Sequence, residues 1–437
     1  MIAFRALCSA KPIFYTSISG TLSRLATYAF LAAVSFHVLE VTGRADILAL
    51  TLLSGTLPIV LIGFISGHIV DKFDRAFIIF ASIVARFAAV LALFFCLMKA
   101  GAASFVILIS IGCAVISVTD SITAIAFNSL IPQHADKDKL DKINVASTSL
   151  MELSRISGPF IGTLVFQTFG FKAVLLVCIG IYAISAFPTF LILGKAPSHL
   201  NNDKLTTNDS VLSIFSRVLS DSRLVSLLLN GFLTHVSLFP FLMIGLPFLI
   251  VKVFNGQPAE FGLIEFAAAV GTASSGLLIA RFGNRSLGVK LLHSLILLAL
   301  AFTLYALLFN SSVFQLLSSS ATARVAALGA GSLLIFACYG LYASFFGAII
   351  QSSIAIEQLG RVFSLVIVAN ALGRFFGFLM FGFLFEHNWK FAVVAFITIS
   401  WLKIAIHLPF MTAVRASQRQ SEIADAGLSR RTESIQG

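Results

Sequence analysis

Gly67-His68-Ile69-Val70-Asp71-Lys72-Phe73-Asp74-Arg75 closes one long apolar segment. A related turn, Gly276-Leu277-Leu278-Ile279-Ala280-Arg281-Phe282-Gly283-Asn284-Arg285, closes another. Each puts a glycine ahead of a charged turn centred on phenylalanine. A longer match lies further on. Residues Ile131 to Gly158 align without gaps to Ile350 to Gly377, placing Leu140 on Leu359, Lys142 on Arg361, Arg155 on Arg374 and Gly158 on Gly377. The two matches run in the same order, so segments 2–3 repeat as 8–9 and segments 4–5 as 10–11. In a chain this apolar, a duplicated half implies a membrane transporter with its site near the midplane between the repeats.

Composition agrees. The 437 residues are 58% hydrophobic and 11% charged, against about 25% charged in soluble proteins. Most of the surface must therefore face lipid, and the 44 phenylalanines suit that role. Twelve runs reach the length of about 20 residues that a span needs: 13–39, 47–70, 75–98, 103–131, 143–168, 171–194, 222–252, 259–281, 287–310, 325–352, 361–386 and 389–414. Backbone groups in lipid must be satisfied within the segment, which forces helices. The runs lack the alternation of barrel strands. The expected fold class is an all-α membrane protein of twelve transmembrane helices in two pseudo-symmetric six-helix bundles.

The bundles are expected at 1–194 and 222–414, with a cytoplasmic linker at 195–221 and a cytoplasmic disordered tail at 415–437. The linker contains Asn201-Asn202-Asp203-Lys204, and its part from Val211 to Leu219 reads as an amphipathic surface helix. The Ser-rich stretch Asn310 to Ala323 reads as an outer loop, with a glycosylation triplet at Asn310-Ser311-Ser312. Met1 to Pro12 is too short and polar for a cleavable signal. With the N-terminus inside, nineteen Lys and Arg fall on inner segments. Six fall on outer loops: Arg44, Lys99, Lys172, Lys252, Arg324 and Lys390. The positive-inside rule then puts both termini in the cytoplasm, in a cell inner membrane. It also accounts for the net charge of +11.

Several functions are excluded. The basic charge is spread over inner loops, which argues against nucleic acid. Cys8, Cys96, Cys113, Cys178 and Cys338 are scattered and read as packing thiols, giving neither a zinc spacing nor a disulfide framework. Nucleophile-elbow, zinc-protease and phosphate-loop motifs are missing, so no enzyme, cofactor or metal is expected. The expected partners are a small-molecule substrate, protons and the lipid bilayer, with the protein a monomer.

The first turn resembles the signature loop of the major facilitator superfamily, G-x-x-x-D-R/K-x-G-R-R/K. Gly67, Asp71, Lys72 and Arg75 match, and Asp74 replaces the usual glycine. Asp71-Lys72-Phe73-Asp74-Arg75, Glu40-Val41-Thr42-Gly43 and Gly360-Arg361-Val362-Phe363-Ser364 are similar to motifs of the branch that includes the enterobactin exporter and macrolide efflux proteins. In that family the loop meets helix 11, whose start here is near Arg361. The resemblance implies a latch of Gly67, Asp71, Lys72, Arg75 and Arg361 that holds the outward-open state. An ordinary positive-inside loop would need only Lys72 and Arg75. Gly158-Pro159-Phe160-Ile161-Gly162-Thr163 resembles the exporters' antiporter motif G-P-x-x-G-G, with Thr163 at its last position. Pro159 removes a backbone donor and bends the helix, and Gly158 and Gly162 thin one face for packing.

Charges within spans are costly and usually face the bundle interior. Arg24 and Asp120 lie near the middles of helices 1 and 4, which line the cavity in the family. The two are expected to meet there, with Asp120 as the proton carrier or as half of a fixed ion pair. Glu152 and Arg155 share one face of helix 5. They either neutralise each other or serve in proton coupling and substrate binding. Arg374 repeats Arg155, and the pair would attract an anionic substrate. His235 reads as a ligand or proton site or as hydrogen-bonded packing, and His37 likewise. Arg86 reads as support for the inner turn, Lys403 as a snorkelling side chain, and Glu260 and Glu265 as solvated. The expected function is alternating-access export of a small amphipathic or anionic molecule, a siderophore or drug-like compound, by proton antiport. An importer and a transport-inactive sensor or scaffold are the alternatives.

Overall fold

The computed structural model describes residues 7–8, 10–97, 102–134, 140–193, 220–282, 286–309, 311–353 and 356–436. Among them are α1 (Lys11–Thr42), α2 (Ala45–Lys72), α3 (Arg75–Leu97) and α4 (Ala102–His134). The helical stretch Leu140–Phe190 breaks at Gly170, whose φ of 77° suits only glycine, giving α5 (140–169) and α6 (171–190). α7 is Ser222–Val253. α8 (Pro258–Ile279) is followed by α9 (Leu287–Leu307) and α10 (Ala321–Ser353). A second stretch, Ile356–Gln436, breaks at Asn388, giving α11 (356–387) and α12 (389–436). The expected gap between spans 5 and 6 and that between spans 11 and 12 fall on these two breaks.

Eight of these helical stretches are long and apolar enough to cross a membrane, among the described residues. Two of the eight, Ser157–Phe190 and Leu365–Met411, contain the breaks and carry two spans each. With α2 and α8 they make the twelve-helix chain read from the sequence. Phe95, Ile107, Ile184, Phe187 and Phe391 are exposed, the coat expected of a lipid-facing surface.

Local sequence sets the helix ends. Asp74, the departure from the family loop, accepts the N–H groups of Ala76 and Phe77 and caps α3. Asp221 caps α7 by accepting the N–H of Arg223 at 2.8 Å. Burial raises the Asp221 carboxyl, but the bonds from Arg223 outweigh this and leave it below its usual range. α7 contains two π-turns, Phe241–Gly245 and Leu249–Val253. The Ser-rich stretch expected as a loop holds a short helix, Ser311–Ser319. Arg324 anchors it by donating to the Leu317 carbonyl at 2.7 Å. Helical backbone continues to Gln436, where disorder was expected. Residues 194–219 and Asn310 lie outside the described residues.

Glycines set the packing, as lipid gives helices no hydrophobic reason to associate. In the N-terminal half, Gly158 and Gly162 of α5 sit against α1 at Tyr28, Leu25 and Ala29. In the C-terminal half, Gly373 and Gly377 of α11 sit against α7 at Phe232 and Val236. A Cβ at Gly162 would lie 2.3 Å from the Ala29 carbonyl oxygen. Gly162→Val is therefore expected to destabilise the purified protein by about 1–3 kcal/mol, read as a lower Tm. Gly180→Ala is the control, since nothing lies within 4 Å of its Cβ position.

The halves meet along α2–α11 and α5–α8. Described contacts between them gather on the side away from the termini, the distal side. There Phe36 of α1 packs edge-on against Phe261 of α8 at 5.3 Å. Gly262 of α8 admits Thr163 and Phe160 of α5, and Gly382 of α11 admits Ala49 of α2.

Candidate functional site

Two features lie near the midplane. The first is a polar cluster inside the N-terminal half. Arg86 of α3 is fully buried. It donates to Ser23 Oγ of α1 at 2.5 Å, and on α4 to Thr119 Oγ1 at 3.1 Å, the Thr119 carbonyl at 3.0 Å and Thr123 Oγ1 at 2.6 Å. Asp120 Oδ1 lies 3.5 Å from Arg86 Nη1 and 3.9 Å from Arg24 Nε. Arg24 and Asp120 therefore meet, as their depths in α1 and α4 implied. The sequence reading missed the third member, having assigned Arg86 to the inner turn. The signal was available: Ser23, Thr119 and Thr123 offer hydroxyls on two helices at matching depth, and a buried guanidinium needs such acceptors. Arg24 also donates to Met151 Sδ on α5 at 3.2 Å.

The second feature is a cavity of about 260 Å³ between the halves. Arg155 of α5 enters it from the N-terminal side. The C-terminal half lines it with Leu238, Phe239 and Leu242 of α7, Thr272 of α8, and Phe336 and Tyr339 of α10. Arg374 of α11 lies over the same Phe239 ring, 5.4 Å from its centroid. His235 stacks on that ring at 4.7 Å and points Nδ1 at the Gly231 carbonyl, 3.0 Å away. Arg374 and His235 thus lie over Phe239, and Arg155 shares the cavity that this ring lines. Arg374 Nε is buried with no hydrogen-bond partner among the described residues. A cation facing an apolar, aromatic wall suits an amphipathic ligand with an anionic or strongly accepting end.

Three charges behave otherwise than the sequence implied. Lys403 does not snorkel: it is 2% exposed, with its ammonium 4.4 Å from the Tyr342 ring centroid. Glu260 is not solvated. It is buried in a bidentate pair with Arg324, at 2.6 and 2.7 Å, which ties the start of α8 to the start of α10. Glu265 has a buried oxygen without a hydrogen-bond partner among the described residues, and Arg155 is the charge that acts on it. Apolar flanks hid all three, because burial depends on which face of the span turns inward. His37 stacks on Phe171 at 4.4 Å and meets Glu40 at 3.2 Å, a packing role.

α5 stays helical through Pro159, and Thr163 donates to the Pro159 carbonyl at 2.8 Å. The surroundings of Gly67 and the side chains of Asp71, Lys72, Glu152 and Arg361 lie outside the described residues. Arg75 is partly buried, with Nε unpartnered among the described residues.

Comparison with known proteins accords with this architecture. Macrolide efflux protein A of Streptococcus pyogenes is 26% identical over 364 residues, covering 80% of this chain and 84% of that protein. An uncharacterized MFS-type transporter, YfiS of Bacillus subtilis (strain 168), is 24% identical over 402 residues, covering 89% and 90%. A bacterial homologue of the iron transporter ferroportin, solved in an inward-facing state, superposes with a TM-score of 0.70 at 18% identity, over 91% of this chain and 98% of that one. The family model of the Major Facilitator Superfamily matches residues 16–377. With its twelve helices, its duplicated halves and a family match over most of its length, the chain is a multi-pass membrane transporter of the major facilitator superfamily, and not an enzyme.

Proposed function

We propose that this transporter exports a small amphipathic, anionic molecule, siderophore-like or drug-like, by alternating access in exchange for entering protons. The observation that carries the proposal is the midplane cavity, where Arg155 from one half faces the aromatic wall of the other and Arg374 shares its Phe239 platform. The anionic end would pair with Arg155, Arg374 or both, with His235 beside them, while the apolar body lies on Phe239, Phe336 and Tyr339. Export is supported by the antiporter-like Gly158, Pro159 and Gly162 and by the likeness to a macrolide efflux protein.

Asp120 is the proposed proton-coupling group, with Glu152 as a second. Two guanidiniums lie beside Asp120, Arg86 at 3.5 Å and Arg24 at 3.9 Å. Rocking that moved α1 against α4 would break the contact between Arg24 and Asp120, the proposed point where conformation and proton movement are coupled. Gly67, Asp71, Lys72, Arg75 and Arg361 are proposed to latch the inner side in the outward-open state. The distal side faces outward, both termini lie in the cytoplasm, and the monomer works in a cell inner membrane. This orientation rests on the excess of Lys and Arg on the other side.

Inside-out vesicles test the proposal. An imposed pH gradient, acid inside, is expected to drive a fluorescent aryl carboxylate inward in wild type. Asp120→Asn is expected to abolish the gradient dependence while leaving equilibrium binding of the compound within about twofold. Unchanged coupling in Asp120→Asn would remove that residue from the mechanism. Transport in the opposite direction would mark an importer, and no transport of any anion a sensor or scaffold.

A further inference from the structure

The distal closure contains a second use of the internal repeat. At the end of α5, Gln167 Oε1 accepts the N–H of Ala259, in the first turn of α8, at 2.9 Å. At the end of α11, Glu386 Oε2 accepts the N–H of Ala45, the first residue of α2, at 2.7 Å. Both bonds cross between the halves. Gln167 and Glu386 also fall on one another when Gly158 is aligned with Gly377. The close approaches one turn earlier are related in the same way. Thr163 of α5 meets Gly262 of α8, Gly382 of α11 meets Ala49 of α2, and Thr163 aligns with Gly382.

We propose that Gln167 and Glu386 are repeat-related clamps that hold the distal side of the transporter shut. Each takes an N–H group that has no partner within its own helix. Each must let go when the halves rock to open that side. Their chemistry differs. Glu386 is a carboxylate at the positive end of α2, the stronger kind of acceptor. Arg44, paired with Asp46 at 3.0 Å, adds a cation whose charge reaches it. Gln167 is a neutral amide, and its clamp is the weaker. The pair sets the balance between the distally sealed and distally open states, and so the rate at which the carrier turns over. The inference needs only the two-state rocking of the fold and is independent of substrate, direction and coupling ion.

The test reads that balance without substrate. Spin labels at Lys172→Cys and Ser319→Cys, one exposed position on each half, report the distal separation by pulsed distance measurements in nanodiscs. The background is the full chain with its five native cysteines replaced. Glu386→Ala is expected to raise the open-to-sealed ratio about tenfold or more, and Gln167→Ala about fivefold. Glu386→Gln, which keeps an acceptor, is expected to recover most of the sealed population. A merely structural residue would lower Tm without this rescue or this shift. Wild-type distance distributions in Glu386→Ala and Gln167→Ala, at unchanged Tm, would overturn the proposal. So would an equal shift in Glu386→Gln and Glu386→Ala. Loss of transport of every anion with the distance shifts intact would overturn the transport proposal and leave the clamps standing.

Discussion

Arg86→Met is expected to cost about 3–5 kcal/mol of stability and to leave little folded protein in the membrane. The substitution nearly conserves length and removes the guanidinium alone. Four hydrogen bonds disappear, from acceptors on α1 and α4. Asp120 also loses the nearer of its two cations. Ser23 and Thr123 are buried and lose their guanidinium donor. Arg86→Lys is expected to recover part of the loss, because an ammonium can serve some of these acceptors but not the fork that spans both helices. Tm in detergent and the monodisperse fraction on gel filtration measure the effect. Stability within about 0.5 kcal/mol of wild type in Arg86→Met would mean that the cluster does not hold α1, α3 and α4 together.

Arg155→Ala is expected to weaken binding of an anionic aryl substrate by about 10- to 100-fold, the worth of a hydrogen-bonded charge. Arg155 is the cationic side chain among those lining the cavity. Its loss leaves the aromatic wall to act alone, so a neutral analogue of the same shape should bind nearly as before. Arg155→Lys should fall between, keeping the charge but losing the planar fork. Titration calorimetry with the acid and its methyl ester separates the two. Equal losses for both ligands would show that Arg155 supports the fold of the cavity and does not read charge.

Most of the fold was legible in the sequence because lipid leaves few choices. Long apolar runs had to be helices, and the repeat between Ile131–Gly158 and Ile350–Gly377 related the halves. Small residues at Gly158 and Gly377 marked where α5 and α11 meet α1 and α7. The site was legible only in part. Arg24 and Asp120 could be matched by depth, as depth follows from position along a span. Which face of a helix turns inward does not follow, as spans hydrophobic all round give no periodic signal. Lys403 and Glu265 were misplaced for that reason, and Phe239, though near His235 in sequence, was one phenylalanine among 44. Glu260 and Arg324 are 64 residues apart and pair between the first turns of α8 and α10, a contact no local pattern records.

The two π-turns of α7 give that helix slack. Pro240 ends its regular α part and Pro247 lies between the turns. Each π-turn accommodates one residue beyond the α-helical count. An added residue turns everything after it by about 100°. The phase of Phe239 and Leu242 on the cavity is thus uncoupled from the phase of the distal stretch after Val253. Deletion of a single residue within 241–253 can be taken up by a π-turn relaxing to α-helix. The same deletion in α11, between Arg374 and Glu386, has no π-turn to absorb it and would swing the Glu386 carboxylate off α2. α7 can therefore lose a residue in this stretch without moving its substrate face, while α11 must keep its length.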